Sequence, residues 1–371
     1  MTRAEKAIRE LLSTVDIRVG DNRAWEIQVT DPRFFERVLA EGSLGIGEAF
    51  MDGWWDCASI DEMISRVLAG DLRTRVRRSV RVLLLAARAR LTNRQKIARA
   101  FNIGTRHYDL GNELYAATLD RGLNYSCGYW KQASTLDAAQ EAKLDLVCRK
   151  IGLEPGMRVL DIGCGWGGFA AHAAEKYGAE VVGVTVSQEQ AEFARNRCAK
   201  LPVEVRMQDY RSVDERFDRI VSIGMVEHVG YRNYRTFMET ASRCLAADGL
   251  FLLHTIGSNV SVHSTDPWLD RYIFPDGMLP SVRQLAAASE GLFRIEDLHN
   301  FGPDYDRTLM AWAENFTRNW DSLKRRYDDR FYRMWTYYLL SSAGSFRSHE
   351  NQLWQIVYSP IASMRSYVSV R

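Results

Sequence analysis

Four glycines fall within six residues at Gly163, Gly165, Gly167 and Gly168, just after Asp161. Val159, Leu160 and Ile162 read as a buried strand before them, and the chain from Ala170 onward as a helix. A glycine-rich turn between a strand and a helix N-terminus leaves backbone N–H groups unpaired and lets a ligand approach the main chain. The spacing satisfies both G-x-G-x-G and the dinucleotide pattern G-x-G-x-x-G, so other residues must choose the ligand. A nicotinamide site wants an acid about 20 positions on, at the end of the second strand. That strand ends here at Gly183-Val184-Thr185, with no acid until Glu189. The acids stand instead at Asp161, before the loop, and at Asp209, ending the third strand. Asp161 beside a cationic amino-acid moiety and Asp209 beside an adenine amine suit S-adenosylmethionine.

Two further residues occupy positions where chemistry is done in such sheets. Glu227 follows the apolar strand DRIVSIGM, at the carboxyl end where open α/β sheets bind ligands. His254 lies in FLLHTI, near the carboxyl end of the next strand, so the two are expected to face one pocket. His228 reads as structural. The six cysteines are scattered and form no C-x-x-C pair, so neither a zinc site nor a disulfide framework is expected, and a reducing cytosol is the natural compartment.

The elements that must hold these residues alternate in the way of a doubly wound parallel sheet. Strands are expected at 180–186, 203–208, 218–225 and 249–256 beside the one before the glycines. The chain from about 306 is aromatic-rich and expected to be helical to about 342. Ahead of the sheet, Trp25, Ile27 and Val29 alternate as in a strand ending at Thr30. Pro32 then opens a helix over 33–40, with Asp31 placed to cap it. GSLGIGEAFMDGWW, 42–55, reads as a compact turn-rich packing element; without a preceding strand or a P-loop lysine it is no phosphate loop. Three regions follow: residues 1–70 as a small, mainly helical lipid-interacting domain, 71–104 as a basic amphipathic linker, and 105–371 as the catalytic domain.

Residues 71–99 hold ten Lys or Arg against one acid, Asp71, while Val76, Val80, Leu83, Leu84, Ala87 and Leu91 share a helical face. Such a helix either lies on an anionic membrane or packs its stripe on protein and solvates its arginines. The net charge of +2 is too small to argue for nucleic acid. No export signal is visible at the N-terminus, and the apolar run 82–87 is far short of the roughly 20 residues that cross a bilayer.

The chain resembles the bacterial cyclopropane-fatty-acyl-phospholipid synthases nearly end to end. The resemblance is carried by GSLGIGEAFMDGWW, HYDLGNELY, LNYSCGYW, RVLDIGCGWGG, GVTVSQEQ, MVEHVG, FLLHTIGS and FGPDYDRTLMAW. It implies a Rossmann-like class I methyltransferase domain that adds a methylene from S-adenosylmethionine across a cis double bond of a membrane phospholipid. It further implies bicarbonate as the base, held by Cys127, Glu227, His254, the backbone of Ile256, and Tyr305 in a loop between Asp304 and Asp306. For the methyl donor it implies Tyr125, Ser126, Gly163, Gly165, Thr185, Gln190, Asp209 and Tyr210; related mycolic acid methyltransferases carry tryptophan at the last position. Cys127 is not expected to act as a covalent nucleophile. A cytoplasmic homodimer held peripherally on the membrane is implied as well. The tail 359–371 receives no role.

Overall fold

The computed structural model describes residues 1–70 and 111–371; the basic segment 71–99, and the linker 71–104 with it, lie outside the described residues. Two compact units result. One gathers residues 1–70 with His263–Pro275 and Tyr305–Asn351, and the other gathers 111–262 with Asp276–Asp304 and Gln352–Arg371.

The first unit is mainly helical. Its first helix, Arg3–Ser13, is capped by Thr2, whose hydroxyl accepts the Glu5 N–H at 3.1 Å. Of the strand expected over 25–29 only β1, Gln28–Val29, forms, pairing antiparallel with β2, Trp55–Asp56. The helix Arg33–Glu41 starts where Pro32 predicts, and Asp31 accepts the Arg33 N–H at 2.9 Å. The glycine-rich stretch is not turn-rich: Ser43–Met51 is a helix. Its glycines serve close approach. A Cβ on Gly45 would stand 2.5 Å from the Arg37 carbonyl oxygen, and one on Gly47 would stand 2.4 Å from Trp268. The chain beyond 306 forms two helices, Pro303–Leu323 and Asp329–Arg347, and the second packs on Ile60–Ala69. Arg347 fastens that packing by bonding Asp61 and both carboxylate oxygens of Asp306.

The second unit is built on a seven-stranded sheet in the order β5-β4-β3-β6-β7-β9-β8. Its strands are β3 (Arg158–Ile162), β4 (Glu180–Thr185), β5 (Val203–Met207), β6 (Phe217–Ile223), β7 (Leu245–Ser258), β8 (Phe293–Asn300) and β9 (Asn351–Pro360). β5 through β7 run parallel, and β8 pairs antiparallel with β9. Strand alternation divides the core into two layers. Leu160, Ile162, Val182 and Val184 join the layer that holds Phe237 and Phe251, while Val159, Val181 and Val221 join the layer under the helices Leu136–Lys150 and Gly168–Tyr177. Asp161 therefore points to the same face as Val159, toward the helix Leu136–Lys150. Among the described residues no helix is long and apolar enough to cross a membrane.

Candidate active site

The glycine loop leaves β3 at Gly163, where φ is +84° and a Cβ would meet Met225 Cγ at 2.7 Å. Only glycine satisfies both conditions. The loop pairs part of its own main chain: the amides of Gly163 and Cys164 bond the Val184 carbonyl at 3.0 and 3.1 Å, and that of Gly167 bonds the Cys164 carbonyl at 2.9 Å. Fewer N–H groups are left for an anion than the glycine count suggests, which suits a ligand without phosphate.

All eight residues expected at the methyl donor line one cleft, at the carboxyl ends of β3, β4 and β5. Tyr125 and Ser126 come from the segment before the helix Leu136–Lys150. Beyond β4, the Thr185 hydroxyl donates to Gln190 Oε1 at 3.1 Å and accepts the Ser187 N–H at 3.2 Å, which fixes both polar side chains. Beyond β5, the Asp209 carboxylate accepts from Arg211, with Nε at 2.8 Å on one oxygen and a terminal nitrogen at 2.6 Å on the other. An amine meeting Asp209 would share it with that guanidinium. Tyr210 is buried edge-on to Phe237 at 5.5 Å, and burial pushes its hydroxyl pKa up.

The cleft contains two buried ions that nothing in the sequence singled out as a set. Asp161 is 2% exposed, its Oδ2 has no partner among the described residues, and burial pushes it up to about 7. Lys143, on the helix Leu136–Lys150, is 1% exposed and donates from Nζ to Ser126 Oγ at 2.8 Å. Burial brings it down to about 8. A buried lysine on this helix had one legible sign: Gln140, Lys143, Val147 and Lys150 share the i, i+3, i+7 face that turns inward.

Glu227 stands in a short turn, Val226–His228, beyond β6. Its Oε1 accepts the Ile256 N–H at 2.8 Å, while Oε2 is buried without a partner among the described residues. Burial pushes Glu227 up to about 7, against the pull of that backbone bond. His254 is paired in register with Ile223 and lies two residues before Ile256. Gln355 of β9 contacts its Nδ1 at 3.2 Å, and Phe301 meets the ring edge-on at 5.9 Å. Burial, reinforced by Lys143 and Lys150, holds His254 far below the usual histidine range, so it is neutral. With Nδ1 engaged by the Gln355 amide, the other ring nitrogen, Nε2, is buried without a partner among the described residues. Burial also lowers His228, to about 4, and its ring lines the donor cleft.

Cys127 is fully buried, with its thiol donating to the Gly128 carbonyl at 3.1 Å. The neighbouring Ser126 reaches Gly224, just past β6, where a Cβ would stand 3.9 Å from the serine Cβ. The Gly224 N–H in turn bonds the His254 carbonyl at 2.9 Å. Gly224 is thus tied to His254, and Ile256, two residues on along β7, to Glu227. Tyr305 belongs to the other unit. It sits in the first turn of the helix Pro303–Leu323, not in a loop, because Pro303 opens that helix. There it is buried and stacked on Phe346 at 4.5 Å.

Residues 95–356 match the sequence model of the family described as mycolic acid cyclopropane synthetase. The chain belongs to that family. Like the family's crystallised members it carries an α/β methyltransferase fold. The cyclopropane synthase MmaA2 of Mycobacterium tuberculosis superposes with a TM-score of 0.66 at 31% identity, covering 72% of this chain and 99% of that one. The mycolic acid cyclopropane synthase CmaA1, complexed with SAH and CTAB, gives 0.65 at 33%, covering 70% and 97%. The cyclopropane-fatty-acyl-phospholipid synthase of Escherichia coli K12 is 51% identical over 350 residues, 94% of this chain and 92% of its own length.

Proposed function

We propose that this family member is a cyclopropane-fatty-acyl-phospholipid synthase, using S-adenosylmethionine to convert a cis double bond of an unsaturated phospholipid acyl chain into a cyclopropane ring. The reading rests on the extent of the likeness to the Escherichia coli enzyme, which spans 94% of the chain. The mycobacterial structures leave more than a quarter of it uncovered. The donor fits the cleft: Asp161 Oδ2, without a partner among the described residues, can receive an ammonium, and the tight Gly163 lets a ligand lie against the main chain. S-adenosylmethionine, when bound there, supplies the methyl carbon.

An alkene is a weak nucleophile, so the chain's first task is to hold the double bond close to the cleft in a dry site. Methyl transfer leaves a carbocation on the acyl chain, and closing the ring requires a base for one proton of the new methyl. Bicarbonate would supply that base. Glu227 Oε2 and His254 Nε2 are two buried polar atoms without partners among the described residues, and a neutral imidazole has one N–H to donate to an oxyanion. Glu227, balanced near neutrality with Oε1 held by Ile256, can donate or accept a proton at Oε2. We assign Cys127 to the same oxyanion on the strength of the family resemblance. A buried thiol that donates to a carbonyl is a poor trap for the cation, as the chemistry requires.

Incubating the purified chain with S-adenosylmethionine and vesicles of unsaturated phospholipid is expected to add one CH2 per modified chain and remove its double bond, as read by lipid mass spectrometry. Depleting bicarbonate is expected to slow the reaction and restoring it to recover the rate. No CH2 gain under either condition overturns the reading.

We also infer that residues 1–70 and the basic linker 71–104 dock a homodimer on anionic lipid at the inner face of the cytoplasmic membrane. The excess of ten basic residues over one acid in 71–99 supports it. Co-sedimentation is expected with phosphatidylglycerol vesicles and to weaken with rising salt; equal binding to purely zwitterionic vesicles would count against it.

A further inference from the structure

Lys143 has no task in the mechanism above, yet it is one of the most deeply buried cations of the chain and it lines the donor cleft. A lysine in such a place must have a partner for its charge. Among the described residues its one hydrogen bond is to a neutral hydroxyl, Ser126 Oγ. Lys143 feels the charge of Asp120 most strongly and that of Asp161, which lines the same cleft, more weakly, but among the described residues it forms a direct ion pair with neither. Among the described residues neither Lys143 nor Asp161 therefore has a counter-charge bonded directly to it. One carboxylate oxygen, Asp161 Oδ2, is buried and has no partner among the described residues.

The helix positions Lys143 deliberately. Gln140, one turn earlier, donates to the Ser126 carbonyl at 2.7 Å, so the helix grips both the main chain and the side chain of Ser126. That grip holds Lys143 in the cleft that the glycine loop also lines, with no further acceptor for its Nζ among the described residues.

A buried cation and a buried carboxylate, set apart across a cleft, match a ligand carrying both charges a few bonds from each other. An α-amino acid is such a group. Resting on the reading that a methyl donor occupies this cleft, we propose that Lys143, anchored by Ser126, receives the donor's α-carboxylate, with Asp161 receiving its α-ammonium. Lys143 is then a binding residue that selects for an intact aminocarboxyl end.

The test is calorimetric binding to the full chain with three ligands. S-adenosylmethionine carries both charges, decarboxylated S-adenosylmethionine keeps only the ammonium, and methylthioadenosine has neither. Lys143→Met is expected to lower affinity for S-adenosylmethionine by roughly ten- to hundredfold, as for loss of a charge-assisted hydrogen bond. The other two ligands should bind it as they bind the parent. Asp161→Asn is expected to weaken both ammonium-bearing ligands and spare methylthioadenosine. Should Lys143→Met not fold, Gln140→Met, which releases the Ser126 main chain and so loosens the anchor of Nζ, is expected to give the lysine pattern in weaker form. Loss of all three ligands alike in a folded variant, or no loss of any, overturns the assignment while leaving the proposed function standing. Failure of the parent chain to bind S-adenosylmethionine overturns both.

Discussion

Glu227→Gln is expected to reduce methylene transfer by roughly 10²- to 10⁴-fold, the range seen when a positioned acid or base is lost. Affinity for S-adenosylmethionine should survive, because Glu227 is not among the residues lining the donor cleft. Glutamine keeps an oxygen for the Ile256 N–H, so the fold has no reason to shift. The substitution should also alter stability in a pH-dependent way. Glu227 is raised from 4.5 to about 7 in the folded chain. Between those values the folded state holds a proton that the unfolded state has released, so this group's contribution to stability falls as pH rises through the window. Above the window the cost of the buried charge is complete, of order 3 kcal/mol. Glutamine never incurs that cost. The Tm of the variant relative to its parent should therefore rise from about pH 4 to about pH 8 and then level off. A flat Tm difference shows that Glu227 titrates normally. Loss of donor binding places the residue in the cofactor site or the fold instead.

That Glu227 and His254 could be picked out from sequence follows from the geometry of parallel strands. Ligands gather at the carboxyl ends, so a carboxylate just after DRIVSIGM and a histidine near the end of FLLHTI stand on neighbouring strands. The same rule gathered Thr185 and Asp209 beside the glycine loop. Lys143 escaped it because a lysine on a helix ordinarily faces water. Its burial depends on which face of Leu136–Lys150 meets the sheet, and Leu144, Leu146 and Cys148 offered rival faces. β8 was missed for a different reason: a register shift between Ile295 and Asp297 breaks the alternation that marks a half-buried strand. β9, LWQIVY in its middle, is buried on both faces and so lacks alternation altogether. In 42–55 the glycines read as turns because packing against Arg37 and Trp268 is invisible without the partner elements. Tyr305 was placed in a loop although Pro303, at a helix start, carried the contrary signal.

Gly163→Ala should weaken donor binding substantially, and its comparison with Gly156→Ala shows why. Both glycines have positive φ, +84° and +80°, so alanine introduces similar backbone strain at each. Around Gly156 a Cβ meets nothing within 4 Å, whereas at Gly163 it meets Met225 Cγ at 2.7 Å and Cβ at 2.9 Å. Met225 cannot yield by swinging its thioether, because the contacts fall on the atoms nearest its backbone. The main chain beyond β6 must move, and Met225 and Gly224 both line the cleft. Overpacking of this kind costs about 1–3 kcal/mol, or roughly ten- to hundredfold in affinity if the strain is relieved at the expense of the bound geometry. Calorimetry should thus find Gly156→Ala less stable but with parental donor affinity, and Gly163→Ala impaired in both. Equal affinity in the two variants would mean that the glycine is needed for its φ alone and that the cleft tolerates displacement of Met225.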